Sequence, residues 1–294
     1  MRKMVFPIVV ILISSLSTCK SAEWTAVSGG HLTIQSSSHS PFPHPDRADG
    51  HFYNDSLYSF EAHYNDSSVA IFIPDHFIPE ETVNLVFYFH GWGNSIHESL
   101  EKFDLLQQFS NSKTNAIFVF PEGPKDAPDS YGGRLEESAI FKALVGDVLT
   151  FLKHEKKVKY AVPGTIILAG HSGAYHVISF ILNRGGLTEN ISEVYLFDAL
   201  YGQVENYTHW LEKYEGRLVN ITTPNGGTLR NSSDLIDDLN DWDIPNVKID
   251  SNMVSEVELR QAKIISIFTT RGHSEVINPF LELFLKSSGL PKVD

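Results

Sequence analysis

The sequence predicts an α/β fold, a single domain whose mostly parallel central sheet is covered by helices on both faces. From Glu81 onward, short all-apolar runs alternate with longer amphipathic stretches, the pattern of strands buried on both sides and of the helices that cover them. One apolar run, Thr165-Ile166-Ile167-Leu168-Ala169, passes through the small-residue turn Gly170-His171-Ser172-Gly173-Ala174 directly into a helical pattern. A chain of 294 residues with 42% hydrophobic content is long enough to bury one large core.

Residues 1–22 read as a signal segment. Met1-Arg2-Lys3 precede an uncharged apolar stretch from Met4 to Leu16, which matches a secretory signal and is too short to span a bilayer. Cys19, the single cysteine, lies just beyond it, so the rest of the chain can form no internal disulfide. Leu16-Ser17-Thr18-Cys19 resembles the lipid-attachment signal of bacterial lipoproteins; an ordinary cleavable signal with an incidental cysteine is the other reading. Both predict export, with membrane anchoring only through a lipidated Cys19.

Residues 23–50 are rich in Ser, His and Pro and predict a tether or loop. His39, His44 and His51 have no zinc-ligand spacing, and none of the 13 histidines sits in an H-E-x-x-H or comparable motif, so no metal and no cofactor are expected. The remaining domain, 51–294, opens with Tyr58 to Tyr64 and Ser68 to Ile73, which predict two hairpin strands joined near Asn65-Asp66. Strands are then expected at 83–90, 115–120, 164–170, 192–198, 216–222 and 263–269. Helices are expected near 95–110, 136–157, 173–184, 205–215, 230–240 and 277–287. The insertion 223–262 predicts either a partial lid or a packed excursion. The net charge of −13 argues against nucleic acid as a partner.

The turn at 170–174 is where chemistry is expected. Gly170, Gly173 and Ala174 give the small side chains that a sharp strand-to-helix turn needs, and such a turn lifts the Ser172 hydroxyl into the open. Ala174, Val177, Ile178, Ile181 and Leu182 fall on one helical face, and Gly185-Gly186 supplies a stop. Upstream, the apolar run from Val83 to Phe89 ends in His90-Gly91-Trp92-Gly93, a loop of the type that supplies an oxyanion donor. Downstream, Ile264 to Phe268 is followed by Arg271-Gly272-His273, which places a histidine after a late strand.

On these motifs the chain resembles the α/β-hydrolase superfamily over roughly Glu81 to Leu290. Asp126-Ala127-Pro128-Asp129-Ser130-Tyr131-Gly132-Gly133 and Leu196-Phe197-Asp198-Ala199-Leu200-Tyr201-Gly202 are similar to motifs of exported bacterial members. The resemblance implies a triad in the chain order serine, acid, histidine: Ser172 as nucleophile, His273 as base and a carboxylate that orients it. Asp198 ends the strand directly after the turn helix and is favoured on position; Asp234, after the next strand, is the alternative that many family members would suggest. The oxyanion donors are expected at Gly173 and in the 90–93 loop, at Trp92 or alternatively Gly91. His90 reads as a brace for that loop. Tyr131, Arg134, Tyr201 and Trp210 are candidates for the substrate pocket. The implied activity is that of an exported serine hydrolase, a carboxylesterase on a small-molecule or polymeric ester; peptidase or amidase action on the same triad, and a catalytically silent scaffold, are the competing readings.

Overall fold

The computed structural model describes residues 22–214 and 216–293. The expected lipidation site Cys19 and the signal segment up to residue 21 lie outside the described residues. Among those described, no helix is long and apolar enough to cross a membrane.

The architecture follows from two periodicities. The strands, in chain order, are β1 (Thr25–Val27), β2 (Gly30–Ser36), β3 (His51–Tyr53), β4 (Ser56–Tyr58), β5 (Ser68–Pro74), β6 (Val83–Phe89), β7 (Ile117–Pro121), β8 (Pro163–His171), β9 (Ile191–Phe197), β10 (Arg217–Thr222), β11 (Val247–Asp250) and β12 (Ile264–Phe268). Ten of them form one sheet in the order β1-β2-β5-β7-β6-β8-β9-β10-β12-β11, while β3 and β4 form a separate two-stranded ribbon. From β7 to β11 the neighbours run parallel, and β1, β2 and β5 extend the sheet antiparallel. In β6 the side chains divide by parity: Leu85, Phe87 and Phe89 enter the core on one face of the sheet, and Val86 and Tyr88 enter the core on the other. A predominantly apolar run is what a strand without a wet side requires, and the one polar residue of β6, Asn84, is buried with hydrogen bonds to Asn115 and Thr165.

The parallel strands and their covering helices fall where the sequence places them. The expected helix at 95–110 is two helices, Ile96–Lys102 and Leu105–Asn111, broken at Asp104 with φ 49°. The insertion 223–262 is a packed excursion. Its helix Leu229–Asp241 buries Leu235, Ile236 and Leu239, and β11 adds a parallel edge strand.

Two expectations at the N-terminal end are corrected. Residues 23–50 are not a loop throughout, because β2 pairs with β5 along its whole length and β1 pairs with β2. The alternation in Gly30-His31-Leu32-Thr33-Ile34-Gln35-Ser36 is the period-2 signal that the Ser-, His- and Pro-rich composition around it obscured. The stretch from Tyr58 to Tyr64 is not a strand paired with β5. Ser59 Oγ accepts the Ala62 N–H at 3.4 Å and caps a one-turn helix, Phe60–His63.

Trp210 lies on the helix Val204–Tyr214 and is a core residue, 1% exposed, among Leu211, Leu235 and Leu239. A pocket role for it is therefore overturned: the amphipathic period of this helix turns the ring to the sheet. Its indole N–H is buried with no hydrogen-bond partner. Trp210→Ala is expected to cost about 3–5 kcal/mol in urea unfolding. Trp210→Phe, which removes the unpaired N–H, is expected to cost markedly less.

Candidate active site

β8 ends at His171, and the chain then turns through Ser172–Ala174 into the helix Tyr175–Arg184. Ser172 has φ 54°, a left-handed conformation that a non-glycine residue adopts only where its surroundings enforce it. The turn projects the serine into a cleft of about 530 Å³ whose lining includes Trp92, Asn94, Ser130, Tyr201 and His273. The opposite wall comes close. A Cβ on Gly91 would meet Ser172 Cβ at 2.5 Å, so only a glycine lets the 90–93 loop reach the serine.

That loop is held from behind. His90 is buried; its Nδ1 lies 2.7 Å from the Gly91 carbonyl oxygen and its Nε2 lies 3.0 Å from Glu122 Oε1. Burial disfavours the charged ring, but the hydrogen bond and the charge of Glu122 outweigh it and raise the His90 pKa above its ordinary value. The Gly91 carbonyl belongs to the same peptide as the Trp92 N–H, and in a trans peptide the two point in opposite directions. With the carbonyl turned toward His90, the Trp92 N–H is turned away from it. Asn94 Nδ2 donates to the Trp92 carbonyl at 2.8 Å and fixes the next peptide.

His273 follows β12, and its Nδ1 lies 2.6 Å from Asp198 Oδ2. Asp198 directly follows β9 and is fully buried. Its carboxylate accepts Thr223 N–H at 3.2 Å, Thr223 Oγ1–H at 2.6 Å and the hydroxyl of Thr228. Burial alone would raise the Asp198 pKa; the hydrogen bonds from His273, Thr223 and Thr228 prevail and hold it below the ordinary carboxylate value. Asp234 has no part in this cluster. It sits on the helix Leu229–Asp241 with its carboxylate 4.0 Å from Arg230 on the preceding turn of an exposed face.

His171, at the turn itself, donates Nε2–H to the His273 carbonyl oxygen at 3.0 Å, and the two rings lie 4.6 Å apart between centroids. Burial and the neighbouring His273 push its pKa down to about 3, so the ring is neutral. Thus the residue before the serine fixes the main chain of the residue that follows β12.

Tyr201 is the one of the four pocket candidates that lines the cleft. Its hydroxyl donates to the Gly226 carbonyl, and burial with the nearby Asp198 charge pushes its pKa up to about 12. Tyr131 is set behind the cleft instead. Its hydroxyl contacts His44 and Asp46, and the Arg47 guanidinium lies 4.6 Å from its ring centroid. Arg134 donates to the Ser38 carbonyl and braces the N-terminal segment. Both were drawn away by residues 38–47, which fold against this loop; Trp210 is in the core. Thr223 and Thr228 carry no motif that would mark them as donors to Asp198, and Asn225-Gly226-Gly227 is the only sign in the sequence of the tight loop that presents them. A Cβ on Gly226 would fall 1.8 Å from Asp198 Oδ2. Among the described residues, no group of three or more His, Cys, Asp or Glu side chains could hold a metal ion.

No family model matches the chain, and no curated protein does. Among solved structures it is similar to a mutant of the feruloyl esterase module from Clostridium thermocellum complexed with sinapinate, at TM-score 0.54 and 9% identity over 91% of this chain and 93% of that one. It is also similar to FphF, a fluorophosphonate-binding serine hydrolase of Staphylococcus aureus, at TM-score 0.51 and 11% identity over 87% of this chain and 97% of that one. The parallel sheet, the serine turn after β8 and these likenesses together show that this chain has the α/β-hydrolase fold.

Proposed function

We propose that the chain is a serine hydrolase that cleaves carboxylic esters, with Ser172 as nucleophile, His273 as general base and Asp198 as the carboxylate that orients it. One observation carries the reading: a fully buried carboxylate, held ionised by four donors, lies 2.6 Å from the Nδ1 of a histidine that shares a cleft with a strained serine. An Asp198 that accepts Nδ1–H fixes the tautomer in which Nε2 is bare and able to take a proton.

Ser172 Oγ attacks the ester carbonyl carbon while His273 Nε2 takes its proton. The carbonyl oxygen, now an anion, is received by the N–H groups of Gly173 and Trp92. Collapse of this intermediate breaks the bond to the alcohol, which leaves with the proton from His273, and Ser172 retains the acyl group. Water then repeats the attack, its proton passing to His273 and from there to Ser172 as the acid departs. His171 has to remain neutral in this scheme, since a second positive ring against His273 would oppose its protonation.

A fluorophosphonate probe is expected to label the chain and to lose its target in Ser172→Ala, which should stay folded and hydrolyse no p-nitrophenyl ester. Full turnover in that variant ends the assignment. His273→Ala should cost nearly as much as loss of the serine, because triad members act as a unit. Asp198→Asn, which leaves the ring in the wrong tautomer, should lower kcat on the order of 10⁴-fold. Faster cleavage of the matched anilides than of the esters would replace the ester by an amide.

His171 gives a pH signature. Its pKa in the folded chain, about 3, lies below the unfolded value of about 6.5. Between these limits the unfolded chain binds the extra proton. The contribution is therefore complete above about pH 6.5 and declines as pH falls toward 3, with a slope near 1.4 kcal/mol per pH unit for one proton. In urea unfolding across this window, His171→Gln should lower that slope by about one proton. An unchanged slope would mean that His171 does not stay neutral.

A further inference from the structure

The loop that follows β7 places a hydroxyl beside the expected oxyanion donors, that of Ser130, which lies within the 126–133 motif but to which the sequence assigns no role. Ser130 lines the cleft together with Ser172, Gly173 and Trp92. Its Oγ accepts the indole Nε1–H of Trp92 at 2.7 Å. It also lies against Gly173, where a Cβ would meet Ser130 Oγ at 2.7 Å and the Trp92 ring at the same distance. Gly173 is the residue after the serine, whose N–H faces the carbonyl oxygen during attack.

The hydrogen-bond inventory of Ser130 decides what it can do. A serine hydroxyl has one proton to donate and two lone pairs to accept with. Trp92 occupies a lone pair and cannot accept in return, because an indole nitrogen is a donor only. Among the described residues no acceptor takes the Ser130 proton, and the side chain is only partly buried. A hydroxyl that is already accepting is polarised toward stronger donation. Behind it, Asp129 is fully engaged: its carboxylate accepts from Arg47 Nε at 2.7 Å, from the Tyr64 hydroxyl at 3.2 Å and from Tyr131 N–H at 2.9 Å. The segment carrying Ser130 is thus pinned on both sides, which sets its hydroxyl in a fixed place.

We infer that Ser130 is a third, side-chain donor to the oxyanion, its hydroxyl oriented by the Trp92 indole N–H so that its proton faces the carbonyl oxygen of the substrate. The inference rests on the serine-hydrolase reading above and adds a catalytic residue to it. The neutral carbonyl gains little from this donor, while the anion gains much, so the effect belongs in kcat and not in substrate binding. Trp92 thereby has two functions, its main-chain N–H as donor and its indole as the group that aims Ser130.

The test compares the unmodified chain with Ser130→Ala, Ser130→Thr and Trp92→Phe on p-nitrophenyl acetate, with phenylboronic acid as a tetrahedral mimic. Removal of one side-chain oxyanion donor costs on the order of 10²-fold in kcat. Ser130→Ala is expected to show such a loss, with KM within about twofold and with weaker inhibition by phenylboronic acid. Ser130→Thr should restore most of the rate, because it returns the hydroxyl. Trp92→Phe, which keeps the ring and removes its N–H, should lose about tenfold, less than Ser130→Ala. A rate within twofold of the unmodified chain in Ser130→Ala overturns the inference, as does a change confined to KM. A fall in melting temperature that accounts for the lost activity, with boronate affinity per folded molecule unchanged, also overturns it. If the unmodified chain neither turns over the ester nor takes the fluorophosphonate, the hydrolase reading and this inference fall together; if it does both, only the inference is at stake.

Discussion

A carboxylate with no access to water has to be solvated by the protein, and the burial of Asp198 sets this demand at the centre of the molecule. An isolated buried charge would neutralise itself by taking a proton. Asp198 stays ionised because donors reach it from two further strand ends: Thr223 and Thr228 from the loop after β10, and His273 from the loop after β12. The parallel register of β9, β10 and β12 brings these ends together on one edge of the sheet. Sheet order, loop conformation and the position of the histidine thus answer to a single negative charge. Removal of one donor would leave the others with an undersolvated anion, which is why such a cluster forms as a set.

The second constraint is steric. Ser172 is held in a left-handed conformation, and the 90–93 loop approaches it where only a glycine allows contact. The first stores strain that the surrounding core has to hold, and the second ties the loop to a residue without a side chain. His90 with Glu122 clamps one side of the loop, and Asn94 clamps the other. His171 links the two halves of the site, since it belongs to the serine turn and donates to the main chain of His273. The turn and the loop are therefore fixed by hydrogen bonds from the buried side chains of His90, Asn94 and His171, where competition from water is reduced.

The parallel part of the fold was legible because strands buried on both faces cannot hide their composition: apolar residues dominate β6, β7, β9 and β12, and the run Ile166 to Ala169 fills the middle of β8. The serine turn was legible because its small residues have no other use at the end of such a run. Asp198 could be preferred over Asp234 by its position at the end of β9, and the structure sets it against His273. What was not legible depended on tertiary partners. β2 alternates apolar and polar residues, as a strand near the antiparallel edge does, and was lost in a polar composition. Tyr131 and Arg134 lie in the right loop, but the N-terminal segment engages them through His44, Asp46, Arg47 and Ser38, so they face away from the cleft. Thr223 and Thr228 carry no motif at all, and Ser130 lies in a motif that assigns it no role. A hydroxyl becomes a donor to a particular oxygen only when the backbone around it is fixed, and that information is distributed over the whole fold.

The close approach of Gly226 to Asp198 bears on how such a site can diverge. With a Cβ excluded at 1.8 Å from the carboxylate, position 226 can accept no side chain while the acid stays where it is. The turn at this one position is thereby fixed to glycine for as long as Asp198 keeps its place. Freedom lies on the other side of the cleft. The β3–β4 ribbon stands over Trp92 through Tyr53, at 5.3 Å between ring centroids, and turns Phe52 and Leu57 to solvent, 70% and 53% exposed. No buried charge depends on these residues. Under the proposed reading, substitutions that reshape the surroundings of Trp92 have their room in this ribbon, while position 226 has to stay glycine.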